Sequence, residues 1–150
     1  MAACLLAGLA ALSGPLHGMA SNAMLALADE AEQSEAEFAI SAWMDRHHRL
    51  PGFGHQLYPS GDPRAAVIMD GLQPDPVMAA LATKGAEIVG ELPNSDFAIA
   101  VLVRNLKLPA DAGFRLFALS RSVGWAAHAM EQAATGDIIR PRARYVGKAG

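Results

Sequence analysis

The sequence predicts an all-α fold, and three observations support this prediction. Apolar residues recur at helical spacing in several segments, no alternation of apolar and polar residues persists as it would in strands, and alanine, the strongest helix former, is abundant. Hydrophobic residues make up 52% and charged residues 18% of the 150 positions. A chain of this composition can bury a core, so disorder is excluded.

Glycine, proline and capping residues divide the chain into predicted helices. Ser13-Gly14-Pro15 ends the first helix, Gln73-Pro74-Asp75-Pro76 is a linker before the fifth, and polar residues ahead of an apolar run start the sixth. In the fifth helix we expect Val77, Leu81 and Ile88 to face inward. The predicted helices cover, in order, Ala2–Leu12, Gly18–Glu32, a short segment around Phe38–Met44, Ala65–Gly71, Val77–Val89, a segment that follows Asn94, and Ala112–Ala134.

Charge is distributed unevenly along the chain. Residues 1–103 carry four basic and twelve acidic side chains, whereas residues 104–150 carry eight basic and three acidic ones. The net charge of −3 and the pI of about 5.9 argue against nucleic-acid binding by the whole chain. The basic end can meet an anionic small molecule or balance the acidic part. The single cysteine, Cys4, excludes an internal disulfide and fits a reducing compartment, so the predicted location is cytoplasmic.

The first twelve residues form an apolar run that resembles the core of a signal peptide. The basic leading region of a signal is absent, because no Lys or Arg precedes Arg46. The run is also shorter than the roughly 20 residues that a membrane helix needs. We therefore interpret it as the end of a buried helix and expect no membrane partner.

Two histidines stand at junctions rich in glycine. His17 follows Gly14-Pro15-Leu16 between two predicted helices, where its ring can face a cleft or merely cap a helix. His55 ends the run Pro51-Gly52-Phe53-Gly54, whose glycines let the backbone approach a ligand closely. The His55 ring can donate to a carbonyl oxygen, and Arg64 can clamp a carboxylate with two parallel bonds. The alternative is a structured connector that carries a surface arginine.

Asp96 stands directly before an apolar run. A carboxylate at a helix start usually serves as a cap. The functional alternative is a base that removes a proton from carbon once substrate closure has dried the site.

The C-terminal part carries a set of arginines, with Arg121 on one face of the last predicted helix and Arg140, Arg142 and Arg144 beyond it. Several guanidinium groups suit an acid with two or three negative charges. His47 and His48 show no partner pattern and are interpreted as surface residues. His128 shows no metal-ligand spacing with the other histidines, so we predict no metal site.

Four segments together resemble sequence motifs of the citrate synthase family, and they follow one another in the family's order and at the family's spacing. They cover the chain nearly end to end, and four motifs in order are far more specific than one. They are LAGLAALSGPLHGMASNAM, which resembles the catalytic-histidine segment; PGFGHQLYPSGDPRA, the central signature; LPNSDFA, the catalytic-aspartate segment; and SRSVGWAAHAMEQ followed by IIRPRARYVG, the C-terminal signature.

The resemblance implies a Claisen-type condensation of acetyl-CoA with oxaloacetate that gives citrate and CoA. Asp96 would take the methyl proton of acetyl-CoA, and His17 would donate a hydrogen bond to the thioester oxygen. One group must take the proton of this weak carbon acid while another stabilises the oxygen charge that develops. His55 would polarise the ketone of oxaloacetate. The resemblance gives three arginines the role of binding the substrate carboxylates: Arg64, Arg121 and Arg140, the last reaching the neighbouring subunit's site.

The resemblance also implies an almost entirely helical fold with a large and a small domain, assembled as a homodimer. Closure of the small domain would complete the site. Residues 1–17 would belong to the large domain, residues 18–105 would form the small domain, and residues 106–150 would return to the large domain. A whole family member is much longer, so we expect this chain to be partial.

The glycine-rich loop would lie near the adenine of CoA, with Leu50, Gly52 and Gly54 as the residues concerned. No cofactor is implied, because acetyl-CoA is a substrate. Alternatives within the family are a 2-methylcitrate synthase and a citryl-CoA lyase. An alternative of another class is a non-catalytic fragment that binds a family member.

Overall fold

The computed structural model describes residues 1–14, 18–138, 140–144 and 146–147. Within these ranges the chain forms α-helices and no strand, with one isolated antiparallel bridge between Phe53 and Pro93. The predicted all-α class is therefore confirmed. The helices are α1 (Ala2–Leu12), α2 (Ala20–Glu32), α3 (Ala36–His47), α4 (Pro63–Met69), α5 (Pro76–Val89), α6 (Ser95–Asn105) and α7 (Ala112–Thr135).

Two aspartates determine where α4 and α5 begin. The Asp62 carboxylate accepts the backbone N–H of Arg64 at 3.0 Å, and the Asp75 carboxylate accepts that of Met78 at 2.9 Å. A proline follows each cap, and its preset φ and missing N–H suit the first helical position. Helix α4 consequently begins at Pro63, earlier than the predicted Ala65.

Helix α6 runs through the centre of the core. Helices α2 and α4 pack against it, and α3 and α5 complete the cluster around α2. The Phe53 ring meets the Phe97 ring edge-on, with centroids 5.6 Å apart, so the loop before α4 is anchored on the first turn of α6. Most of α6 is buried, namely Ser95, Phe97, Ala98, Ile99, Ala100, Val101 and Val103.

The inward face of α5 differs from the prediction in one position. Leu81 is fully buried, and Val77 is packed against the core, as expected. Ile88 is 46% exposed, so its predicted inward orientation is wrong. The buried stripe runs through Leu81 and Gly85 and reaches Val89 in the last turn, which leaves Ile88 to the side of it.

Helices α1 and α7 pack against each other beside this core. The ring of Trp125 lies so close to Gly8 that a Cβ there would be 2.6 Å from it. Leu12 is the buried residue of α1, so the expected burial of this helix is not seen in the described residues. Among the described helices, none combines the length and the hydropathy needed to cross a bilayer. The pair exposes large apolar side chains, including Leu6, Leu9, Leu119, Val123 and Met130.

Arg104 ties three helices together at the far end of α6. Its Nε donates to the Asp75 carboxylate at 2.6 Å, at the start of α5. Its other nitrogens pair with Asp29, at 3.7 Å, and with Glu32, both on α2. Arg104 and Asp75 are largely shielded from solvent, so their pair is expected to be stronger than an ordinary surface ion pair, whereas Asp29 and Glu32 are exposed.

Candidate functional site

An open cleft of about 850 Å³ lies where the glycine-rich loop, the start of α6, the start of α2 and the end of α3 meet. His55, Arg64 and Asp96 all line it. The structure therefore brings together three predicted site residues from two segments that are well separated in the sequence. Within the described residues, no group of three His, Cys, Asp or Glu side chains could hold a metal ion.

Two glycines allow the loop to lie directly on its neighbours. Gly52 and Gly54 have φ of +78° and +68°, which an L side chain rarely adopts. A Cβ at Gly52 would come within 3.1 Å of Phe97, and one at Gly54 within 2.2 Å of the Glu91 carboxylate. Both glycines line the cleft, whereas Leu50, predicted with them, is buried in the core and lies outside the lining.

The His55 ring is held by its own loop. Its Nδ1 accepts the backbone N–H of Leu57 at 3.2 Å, and the ring stacks on Tyr58 with centroids 4.9 Å apart. A neutral imidazole whose Nδ1 accepts a hydrogen bond carries its proton on Nε2. His55 can therefore donate from Nε2 to an oxygen in the cleft, which is the chemistry expected from the sequence.

Arg64 forms a two-point pair with the buried carboxylate of Asp62. Its Nε and Nη2 donate at 2.9 Å and 2.8 Å, and its Cζ lies 5.4 Å from the centre of the Tyr58 ring. Asp62 uses the Nε edge of the guanidinium, and the Nη1 hydrogens do not take part in this pair. About half of the Arg64 side chain is exposed, and Arg64 lines the cleft.

Asp62 also accepts the backbone N–H of Ser95 at 3.0 Å, at the start of α6. Burial by itself would raise the pKa of the Asp62 carboxyl. The hydrogen bonds from Arg64 and Ser95 outweigh burial, and the pKa of Asp62 lies well below its usual range. The hydrogen bond with Asp62 in turn raises the pKa of Arg64, and the charge of Asp96 adds to that shift.

Asp96 is the second residue of α6, and the cap of that helix is Asn94. The Asn94 Oδ1 accepts the backbone N–H of Asp96 at 2.9 Å and that of Phe97 at 3.4 Å. Asn94 therefore caps α6, and the alternative prediction that Asp96 is the cap is wrong. A carboxylate in the first turn is stabilised in its charged form by the helix dipole.

Several cleft residues were not identified from the sequence as ligand-binding. Asn94 belongs to the helix-start signal, but its contact with the loop has no sequence signature. His47, interpreted as a surface residue, is exposed yet lines the cleft, and its ring packs on Trp43 with centroids 4.5 Å apart. Arg49 lines the cleft as well, and its position directly before the glycine-rich loop was the available signal.

Two predicted site residues are not among the residues that line the cleft, and a third lies outside the described residues. Arg121 is exposed on α7, where its guanidinium folds back over Gly124, and it is not among the lining residues. Arg140 is exposed in the segment after α7 and is also not among them. His17 falls outside the described residues.

Comparisons with known proteins identify the family of this chain. The family profile of the citrate synthase C-terminal domain matches residues 1–142. This chain therefore belongs to the citrate synthase family, a family of transferase-type enzymes.

Relatives support the same family. The chain is 34% identical to citrate synthase 2 of Bacillus subtilis, over 94% of this chain and 41% of the relative. It is 36% identical to citrate synthase of Haloferax volcanii, over 91% and 39% of the two chains. It is 31% identical to 2-methylcitrate synthase of Shewanella oneidensis, over 98% and 42%. The chain thus spans about two fifths of the length of these relatives.

Solved structures show the same fold. The citrate synthase of Thermotoga maritima matches with a TM-score of 0.77 and 31% identity, over 99% of this chain and 44% of that one. The Thermoplasma acidophilum citrate synthase, solved with carboxymethyl coenzyme A and oxaloacetate, matches with a TM-score of 0.74 and 32% identity, over 97% and 43%. The citryl-CoA lyase of Hydrogenobacter thermophilus, at 23% identity and a TM-score of 0.75 over 97% and 65%, shares the fold.

Proposed function

We propose that this chain supplies the principal catalytic residues for the condensation of acetyl-CoA with oxaloacetate to citrate and CoA. The single observation that supports the proposal is that His55, Arg64 and Asp96 line one cleft. A base, a hydrogen-bond donor and a carboxylate-binding cation are the groups that this reaction needs within reach of one carbon–carbon bond.

In the proposed reaction, Asp96 removes a methyl proton from acetyl-CoA. His17, from the matching motif, donates a hydrogen bond to the thioester oxygen and stabilises the enol or enolate. The nucleophilic carbon attacks the ketone of oxaloacetate, which His55 polarises through Nε2. Water then hydrolyses the citryl-CoA thioester to release citrate and CoA.

Arg64 binds a carboxylate of oxaloacetate through the nitrogens that Asp62 leaves available. Arg121 and Arg140 are proposed to complete carboxylate binding in the closed, assembled enzyme, with Arg140 acting in the neighbouring subunit of a homodimer. Gly52 and Gly54 bring the loop backbone to the CoA adenine, and Leu50 anchors that loop in the core. Acetyl-CoA is a substrate, so the proposal needs no cofactor.

The proposed domain division follows the packing of the helices. Residues 18–105 would form the small domain, because the core built by α2, α3, α5 and α6 lies within them. Residues 1–17 and 106–150 would belong to the large domain, since α1 and α7 pack against each other beside that core. The proposed location is cytoplasmic.

A second candidate is 2-methylcitrate synthesis from propionyl-CoA, which is supported by the Shewanella oneidensis relative. The two acyl groups differ by one methylene, which is worth only about 1–3 kcal/mol in a binding pocket. The ratio of kcat/KM for acetyl-CoA to that for propionyl-CoA decides between the two reactions.

Thiol release from acetyl-CoA in the presence of oxaloacetate tests the proposal. Two forms of the protein are assayed: the chain as it stands, and the chain together with any sequence that precedes it in its reading frame. Asp96→Asn is expected to lower kcat by roughly 10²- to 10⁴-fold, because the general base is lost. Asp70→Asn, an exposed aspartate outside the cleft, is the matched control. An unchanged rate in Asp96→Asn, or binding of CoA without thiol release by either form of the chain, contradicts the proposal and favours a non-catalytic fragment.

A further inference from the structure

The side chain of Asn94 joins the loop that carries His55 to the helix that carries Asp96. Its Nδ2 donates to the Gly54 carbonyl at 2.8 Å, one residue before His55. Its Oδ1 accepts the backbone N–H of Asp96 at 2.9 Å. Asn94 is only 9% exposed, so water competes weakly for either bond.

Backbone hydrogen bonds extend the same connection. The Asn94 N–H donates to the Gly52 carbonyl at 2.8 Å, and the Gly54 N–H donates to the Leu92 carbonyl at 2.9 Å. The loop is thus bonded to the segment before α6 on both sides of Phe53. The Asn94 side chain adds the bond closest to His55.

The contacts of the His55 ring do not by themselves fix its distance to α6. They reach Leu57 and Tyr58, which belong to the same loop, and therefore orient the ring only relative to that loop. Resting on the proposed function, we propose that Asn94 is a positioning residue that sets the placement of the His55 ring relative to the Asp96 carboxylate. One asparagine can do this because its amide is both a donor and an acceptor.

Two substitutions separate the role of the Asn94 Nδ2 donor from the role of Oδ1 as the cap of α6. Asn94→Ser and Asn94→Asp each keep an oxygen that can cap α6, and each removes the Nδ2 donor to Gly54. Asn94→Asp also adds a charge, so an effect common to both variants reports the lost donor. Asn105→Ser is the matched control, because the Asn105 Nδ2 donates to the Gln73 carbonyl at 2.8 Å, at the opposite end of α6.

Hydrogen exchange and kinetics are the two measurements. In both Asn94 variants, exchange of the backbone amides of Gly54 and of position 94 is expected to rise about tenfold, after correction for the intrinsic rate of the new residue, while the amides of α6 stay protected. In thiol release, kcat is expected to fall about 10- to 100-fold. The KM for oxaloacetate is expected to rise because His55 moves, and the KM for acetyl-CoA is expected to rise because Gly54 is proposed to lie at the CoA adenine. A smaller folded fraction lowers the apparent kcat and changes neither KM. Asn105→Ser is expected to leave exchange in the loop and both KM values unchanged.

The proposal is overturned if loop exchange is unchanged in both Asn94 variants, or if Asn105→Ser alters kinetics as much as Asn94→Ser. It is also overturned if exchange rises but kcat and both KM values stay at the wild-type level. If the wild-type chain releases no thiol, both as it stands and with any preceding sequence included, the proposed function fails. The difference in hydrogen exchange between the Asn94 variants and Asn105→Ser then decides whether Asn94 fixes the loop on α6.

Discussion

The buried carboxylate of Asp62 accepts the backbone N–H of Ser95 at 3.0 Å, although the two residues lie 33 positions apart. The same carboxylate caps α4 and forms the two-point pair with Arg64. One acidic side chain thus connects Arg64 to the helix that carries Asp96. This bond holds the start of α4, which carries Arg64, against the start of α6, and both Arg64 and Asp96 line the cleft.

The Asp62→Asn variant is expected to lower the free energy of unfolding by about 1.5–3 kcal/mol, since hydrogen bonds to a buried charged group are lost. Half of the Arg64 side chain is exposed, which keeps the expected loss below that of a fully buried pair. Urea unfolding at pH 7 measures it. Asp111→Asn breaks the exposed pair with Arg115 and is expected to change stability by less than about 1 kcal/mol. Equal losses in the two variants would contradict the role of Asp62.

Acid is expected to remove the stabilisation that Asp62 provides. The pKa of Asp62 is lower in the folded chain than the roughly 3.9 of an unfolded aspartate. The contribution is therefore fully present above the unfolded value and is lost as the pH falls toward the folded pKa. Asp75, whose pKa is also lowered, adds to the same trend. The urea midpoint of the wild type should fall more steeply between pH 5 and about 2 than that of Asp62→Asn, and parallel curves would contradict the assignment.

Substitution of Arg104, which does not line the cleft, is expected to lower the free energy of unfolding. Arg104→Met keeps the apolar stem and leaves the Asp75, Glu32 and Asp29 carboxylates uncompensated, for an expected loss of about 1–3 kcal/mol. Arg104→Lys keeps the charge but loses the planar fork, so an intermediate loss is expected. Arg115→Met, on an exposed pair, is the control. If Arg104→Lys and the wild type have the same free energy of unfolding in urea, the positive charge alone accounts for the stabilisation, and the expected role of the guanidinium geometry is contradicted.

Gly54→Ala is expected to displace the loop that carries His55. The left-handed φ costs about 1 kcal/mol for a non-glycine residue, and the added Cβ would also meet the Glu91 carboxylate. Gly71→Ala is the matched control, because its φ of +77° is similar and its Cβ would meet nothing within 4 Å. Urea unfolding should show a larger loss at Gly54 than at Gly71. The double change Gly54→Ala with Glu91→Ala should recover the difference, and a failure to recover would place the strain elsewhere.

The sequence alone predicted the helices well, because their signals are local. Helical periodicity, proline at a first position and a polar cap each act within one turn. Ala2–Leu12 matches α1, and the structure ends α7 at Thr135, beside the predicted Ala134. Ile88 shows the limit of periodicity, since the tilt of a buried stripe at a helix end depends on neighbouring helices.

The site was predictable only in part from the residues. The motif resemblance named His55, Arg64 and Asp96, and the cleft contains all three. The link through Asn94 was not predicted, because a side-chain bond to a carbonyl 40 positions away leaves no pattern in the sequence. Arg121 and Arg140 lie outside the described cleft, and their roles remain part of the proposal.

The sequence by itself determined the all-helical class, the position of most helix ends and the chemical types at the cleft. The tertiary structure decided which of these groups meet: Asp62 with Ser95, Asn94 with Gly54, and Arg104 with the start of α5 and the end of α2. The physical reason is the sequence separation over which the two kinds of contact act. Helix formation is governed by contacts within a few residues, whereas the site is held by buried hydrogen bonds that form only after the helices have packed.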